Sequence, residues 1–204
     1  MANEQPGITF KEKMSGGFAL GETDPETGAK VGKSAGNVFT MHGTINIDDL
    51  ERFWDDPAHP GSITGSIDFD PLGRNLPSTA GVFNLFSPTG DPTVKYMVYE
   101  LGFNATDGKP YYMAGEKKVK QGPITEMWTA TTTLYTQLHQ GTDKSGPVVG
   151  AGVLTLGLAD LLAMVPTMHA TNTTSPAEAA ETVALFGRFF LGEIWDTYIE
   201  KAGA

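Results

Sequence analysis

From residue 8 to about residue 155, apolar side chains recur at every second position in short runs, and beyond that they recur at helical spacing. The chain therefore reads as strands first and helices last. Ile8 to Ser15 sets Phe10, Glu12 and Met14 against Lys11 and Lys13, the pattern of a half-buried strand. Gly16 to Gly36 has almost no large apolar residue after Leu20 and predicts a long surface loop. Val38 to Ile47 alternates again, and Asp48 or Asp49 caps a short helix through Trp54 that ends at Asp56-Pro57. Ser62 to Phe69, the shorter Gly81 to Phe86, Thr129 to His139 and Val148 to Leu154 supply further strands. Leu156 to about Val165 reads as a helix broken at Pro166. A second helix starts with Ser175 as N-cap, Pro176 at the first helical position and Glu178 completing a capping box. Its apolar stripe runs through Ala179, Val183, Phe186, Phe190, Ile194 and Tyr198.

The strongest local signal is Asp107-Gly108 between the two apolar runs of Lys95 to Lys120, which marks a β-hairpin. Pairing Thr106 with Lys109 would place Met97, Tyr99, Leu101, Phe103, Tyr112 and Ala114 on one face. Tyr96, Val98, Tyr111 and Met113 would then share the other. Both faces are largely apolar, so the sheet needs a filled or ligand-holding interior and a covered exterior. The expected fold is mainly β within the α+β class: an antiparallel barrel of seven or eight strands with two C-terminal helices packed on it. One domain is expected over 1–204, with the barrel in 8–155 and the helical cover in 156–201.

Charge and composition narrow the function classes. With 24 acidic against 14 basic residues the formal charge is -10, and Lys117, Lys118 and Lys120 are the densest basic cluster. Nucleic acid and anionic membrane surfaces are poor partners for such a chain. There is no cysteine, which removes disulfides, thiolate nucleophiles and cysteine-held metals. The first residues show no basic-then-apolar leader, and a cytoplasmic location is expected. The most apolar stretch, Val148 to Val165, contains Asp160 and glycines and reads as a buried strand followed by a helix, with no membrane span.

Motifs of catalysis are weak. Gly32-Lys33-Ser34-Ala35-Gly36 fits G-x-S-x-G but lacks the strand before and helix after that a nucleophile elbow requires. The phosphate-loop spacing fails at Thr27, and Val148-Val149-Gly150-Ala151-Gly152 lacks the third glycine of a dinucleotide fingerprint, where Thr155 stands. His42, His59, His139 and His169 show no metal-ligand spacing, so neither metal nor cofactor is expected. Glu12, Glu100 and Glu116 stand out, because each lies in a strand among apolar neighbours. Inside a barrel such a carboxyl would have a raised pKa and would serve an isomerase or cyclase as acid or base. The alternative is ordinary ion pairing, with Glu100 reaching Lys117 diagonally across the hairpin and Glu12 at a barrel rim.

Several segments taken together are familiar: Lys11-Glu12-Lys13-Met14-Ser15-Gly16, Ile45 to Pro60 with Asp48-Asp49-Leu50, and Tyr99-Glu100-Leu101. To these add Gly115-Glu116-Lys117-Lys118-Val119 and Trp128 followed by Thr131-Thr132-Thr133-Leu134-Tyr135. They resemble an accessory domain of large bacterial proteins that carry a cholesterol-oxidase-like flavin oxidoreductase of the glucose-methanol-choline class, sometimes with an α/β-hydrolase. The resemblance covers most of residues 8 to 200 and rests on strand and turn patterns. It implies a standalone copy without the flavin domain, in a setting of sterol, lipid or isoprenoid metabolism, and it carries no oxidase activity over to this chain.

Three functions are consistent with these readings. The first is binding of a hydrophobic small molecule in a cavity lined by Tyr96, Val98, Tyr111, Met113 and Tyr135, for delivery to a partner enzyme such as an oxidoreductase. The second is a cofactor-independent isomerase or cyclase acting through Glu12, Glu100 or Glu116. The third is an interaction module whose helical face, with Phe189 and Trp195, docks a partner or a second copy of the chain.

Overall fold

The computed structural model describes residues 5–120 and 129–191. In chain order the elements are β1 (Gly7–Leu20), α1 (Pro25–Ala35), β2 (Val38–Ile47), α2 (Leu50–Asp55), β3 (Pro60–Phe69), β4 (Gly73–Pro88), β5 (Val94–Asn104) and β6 (Pro110–Lys120). Then follow β7 (Thr133–Gln140), β8 (Val148–Thr155), α3 (Leu158–Met164), a 3₁₀ turn (Val165–Thr167), β9 (His169–Thr171) and α4 (Pro176–Leu191). Each of β1 to β8 pairs antiparallel with the next, and β8 returns to β1, which closes an eight-stranded up-and-down barrel. The short β9 joins the same edge of β1 at Gly7 to Thr9. The mainly β barrel inferred from the alternation is therefore present, with one strand more than expected.

The largest correction concerns Gly16 to Gly36. Strand β1 runs on to Leu20, and Pro25–Ala35 is a helix rather than a loop. Asp24 caps it, accepting from the Thr27 N–H at 2.8 Å, Pro25 opens it, and Gly36 closes it at φ +73°. The glycines that suggest a loop serve close approach instead. A Cβ on Gly28 would lie 2.1 Å from the Ala151 carbonyl oxygen, and one on Gly32 would lie 2.1 Å from the Phe18 nitrogen. Glycine at these helix positions lets α1 rest its backbone directly on β1 and β8.

The β5–β6 hairpin differs by one residue from the two-residue turn that Asp-Gly suggests. The Ala105 carbonyl accepts from the Gly108 N–H at 2.8 Å, while the Ala105 N–H donates to the Lys109 carbonyl at 2.9 Å. Gly108 alone takes the left-handed conformation, at φ +81°. This is a three-residue turn with a glycine bulge, and it pairs Asn104 with Pro110 and Tyr99 with Gly115. Every side chain of β6 thereby changes face relative to the two-residue register. Tyr111, Met113, Gly115 and Lys117 point inward with Met97, Tyr99, Leu101 and Phe103, while Tyr112, Ala114 and Glu116 point outward with Tyr96, Val98 and Glu100.

Inward residues of all eight strands fill the barrel. Met14, Phe18, Phe39, Met41, Tyr99, Leu101, Met113, Leu134 and Leu154 have no accessible surface. Phe18, Phe39 and Phe69 form an aromatic plug toward one end, with centroids 4.8 to 5.3 Å apart. The other end, where β1 begins and β2 finishes, is covered by helices. There Phe186 and Phe190 of α4 lie 5.6 and 5.7 Å from Phe10, and Phe53 of α2 packs on Phe186 and Phe189. The expected capping box at the start of α4 forms: Ser175 Oγ accepts from the Glu178 N–H, and the Glu178 carboxylate turns back to Thr174. Ile194, Trp195 and Tyr198 lie outside the described residues. Among the described residues, no helix is long and apolar enough to cross a membrane.

Candidate functional site

Two polar clusters interrupt the apolar barrel wall, one on each face of the β5–β6 hairpin. The inner cluster lies one inward position deeper than Phe10 on β1, where Glu12 stands opposite Gly43 of β2. Gly115, the partner of Tyr99, likewise carries no side chain, and apolar groups pack over both glycines, Leu134 on Gly115 and Ile63 on Gly43. Tyr99 Oη donates to Glu12 Oε2 at 3.0 Å. Lys117 Nζ lies 3.5 Å from Glu12 Oε1 and 3.3 Å from Tyr99 Oη, and 4.4 Å from the centre of the Tyr99 ring. The side chains of Glu12 and Lys117 are both 0 % exposed.

The hydrogen-bond directions form a closed set: ammonium to phenol, phenol to carboxylate, ammonium to carboxylate. Burial drives the Tyr99 hydroxyl pKa well above its ordinary value, helped by the negative charge of Glu12 and the bond to it. Burial pulls the Lys117 pKa down, and Glu12 pulls it back in part. A carboxylate, a neutral phenol and an ammonium in one chain can bind a hydroxyl or carbonyl, or relay a proton between two of the three.

The outer cluster centres on Glu100, which the corrected register sets beside Ala114. Its carboxylate accepts from Tyr112 Oη at 2.5 Å and from Lys144 Nζ at 2.8 Å. Burial raises the Tyr112 pKa, with the Glu100 hydrogen bond and charge adding to the effect. Glu100 thus pairs with Lys144 from the β7–β8 loop rather than with Lys117. Glu12 is no rim residue; it is the buried partner of Lys117. Glu116 is half-exposed, 3.8 Å from Lys118 Nζ. Glu12 therefore lies inside the barrel while Glu100 and Glu116 border one outer cleft, and the three candidate acids do not form one site.

The five candidate lining residues are also divided. Tyr111 and Met113 face inward, Tyr111 stacking on Phe103 at 6.0 Å. Tyr96, Val98 and Tyr135 face outward, Tyr96 beneath the Lys118 ammonium at 5.6 Å. Val98 and Tyr135 instead border an outer cleft together with Glu100 and Glu116. Phe189 packs edge-on against Phe53, His59 and Phe86 within the molecule, and Trp195 lies outside the described residues. Among the described residues, no group of acids and histidines is placed to hold a metal ion.

Sequence reasoning took Lys117 as a partner for Glu100 and Tyr99 as part of an apolar hairpin face, and made neither a site residue. The signal was parity: with one left-handed residue at Gly108, Lys117 falls on the same face as Met113, Gly115 and Val119, a lone cation on an inward stripe. Comparison with protein-family models, with curated proteins and with solved structures finds no match, so the geometry of the barrel stands on its own.

Proposed function

We propose that this chain binds one apolar small molecule bearing a single polar group, of the sterol, lipid or isoprenoid kind, with that group held at Tyr99, Glu12 and Lys117. The observation that carries this reading is the fully buried ion pair bonded to a fully buried tyrosine inside an aromatic barrel. Such a pair is poor support for a fold, since well-packed apolar residues in its place are often neutral or stabilising by about 1–4 kcal/mol. Titratable groups kept in such surroundings point toward recognition or chemistry. An eight-stranded barrel is also at the size where the interior either fills with side chains or holds one small ligand. In this chain Phe186 and Phe190 occupy the helical mouth above Glu12, and they stand where the apolar body of a ligand would lie. Binding then means outward movement of α4, and the ligand's buried surface, at about 25 cal/mol per Å², must exceed the ring contacts it replaces. The segments that resemble the accessory domain of sterol-active flavin enzymes make sterols the first probes.

The test is native mass spectrometry of the purified chain after incubation with a sterol and lipid mixture, followed by organic extraction. Stoichiometric uptake is expected, stronger in Phe190→Ala, which opens the mouth, and lost in Lys117→Met. A clean apo mass for both the parent chain and Phe190→Ala overturns the proposal. The hydrogen-bonded chain of three titratable groups also favours a second reading, an acid–base isomerase acting at the same three residues. Turnover of a bound ligand that vanishes in Glu12→Gln while uptake persists would select it.

A further inference from the structure

The outer face of the barrel holds a depression with a built floor. On the grid of β5, β6 and β7, Ala114 lies between Glu100 and Gln137, with Glu116 and Tyr135 paired in one flanking row and Tyr112 and His139 in the other. A methyl group surrounded by long side chains leaves a cleft of about 380 Å³, closed at its rim by Pro25 and Lys144.

The polar groups of this cleft are mostly acceptors. His139 is only 7 % exposed, and its Nδ1 lies 2.8 Å from the Gly146 carbonyl. A carbonyl only accepts, so Nδ1 carries a proton, and in the neutral ring Nε2 is an acceptor; His139 lines the cleft, and among the described residues no hydrogen bond reaches Nε2. The Glu100 side chain is 7 % exposed while that of Lys144, whose ammonium sits on it, is 67 % exposed. The cation is therefore an exposed arm reaching in from solvent, and the anion is the buried part. Val98, Pro25 and the Tyr135 ring add an apolar and aromatic wall suited to a cation carried on a hydrocarbon arm.

We propose that this outer cleft binds a primary alkylammonium, whose nitrogen takes the place of the Lys144 ammonium on Glu100 and also donates to His139 Nε2, while its chain lies along Val98 and Tyr135. Lys144 is in effect an intramolecular occupant of the same chemistry, and the net charge of -10 draws cations toward the surface. This site is separate from the barrel interior and needs no ligand there.

The experiment is a titration of the full chain with n-pentylamine, followed by the His139 ring resonances and by calorimetry, with n-pentanol as the uncharged control. A saturable shift of His139 is expected for the amine and none for the alcohol. Lys144→Ala, an exposed change, is expected to tighten binding several-fold by removing the competitor, and Glu100→Gln to weaken it about tenfold or more. Equal binding of the alcohol, an unmoved His139, or no tightening in Lys144→Ala would each overturn the assignment, and the last of these does not depend on the folding of the Glu100 variant. A sterol bound in the barrel is expected to leave these shifts unchanged, which separates the two sites.

Discussion

Lys117→Met is the sharpest test of the inner cluster. The lysine is fully buried, 3.5 Å from Glu12 and 3.3 Å from Tyr99, so its removal strands a carboxylate whose remaining donor is the tyrosine hydroxyl. Breaking a buried pair from one side destabilises by about 3–5 kcal/mol. For a chain of this size that corresponds to a fall in melting temperature of roughly 10 °C. Removing both charges, in Lys117→Met with Glu12→Leu, leaves no stranded ion, and most of the loss should return. Urea denaturation of the two single variants and the double variant completes the cycle. Burial lowers the Lys117 pKa below its ordinary 10.5, so between the two values the unfolded chain binds more protons and stability from this group rises with pH. That rise should vanish in Lys117→Met. A single variant that loses less than ~1 kcal/mol, or a double variant no better than the single, would refute the description of the pair as charged and mutually dependent.

Two further outcomes follow from the packing. Tyr99 and Tyr112 both have pKa values raised above the ordinary 10.0 by burial and by a carboxylate. Their contribution to stability is present below that value and lost as pH rises through the folded values, so both hydroxyls should ionise only as the chain unfolds. Ultraviolet titration checks this, and Tyr99→Phe or Tyr112→Phe should each remove one late-ionising group. Gly28→Val would drive side-chain atoms into the Ala151 carbonyl, where even a Cβ would sit 2.1 Å away, and should destabilise by about 1–3 kcal/mol as seen in thermal melts. Near-parent stability would mean that α1 does not rest on β8 as described.

The alternation of Phe39 to Ile47 and the capping box at Ser175 made β2 and the start of α4 legible, because each depends on residues close in sequence. Helix α1 was not legible, since Gly28 and Gly32 read locally as breakers and acquire meaning only against β1 and β8. The inner cluster was half legible. Glu12 stood out within its own strand, but its partners come from strands separated by 87 and 105 positions. One residue of turn length decided whether Lys117 appeared inside or out. The pairing of Glu100 with Lys144 was hidden for a similar reason, as a loop beyond β7 delivers the lysine.

Both polar clusters depend on that turn. In β6, Lys117 faces inward toward Glu12 while Ala114 and Glu116 face outward beside Glu100, and the parity is fixed by Gly108 as the single left-handed residue. Deleting Asp107 would leave Thr106-Gly108 as a two-residue turn that still pairs Ala105 with Lys109, whereas a three-residue loop could be kept only by drawing in Lys109 and slipping the register by one, so that Glu116 and Ala114 replace Lys117 and Met113 in the interior. That register would expose the buried Met113 and Val119, at about 1.5–3 kcal/mol each, and would strand Glu12 without its lysine. Straining a shortened turn costs only about 1–3 kcal/mol. The strands should therefore keep their pairing and the turn should absorb the deletion, with a loss of about 1–3 kcal/mol and an unchanged cross-strand contact between Tyr99 and Gly115 in nuclear Overhauser spectra. If the deletion instead moved Tyr99 opposite Glu116, turn geometry would outrank the buried face in setting register. The inner and outer sites would then owe their positions to three loop residues rather than to the core.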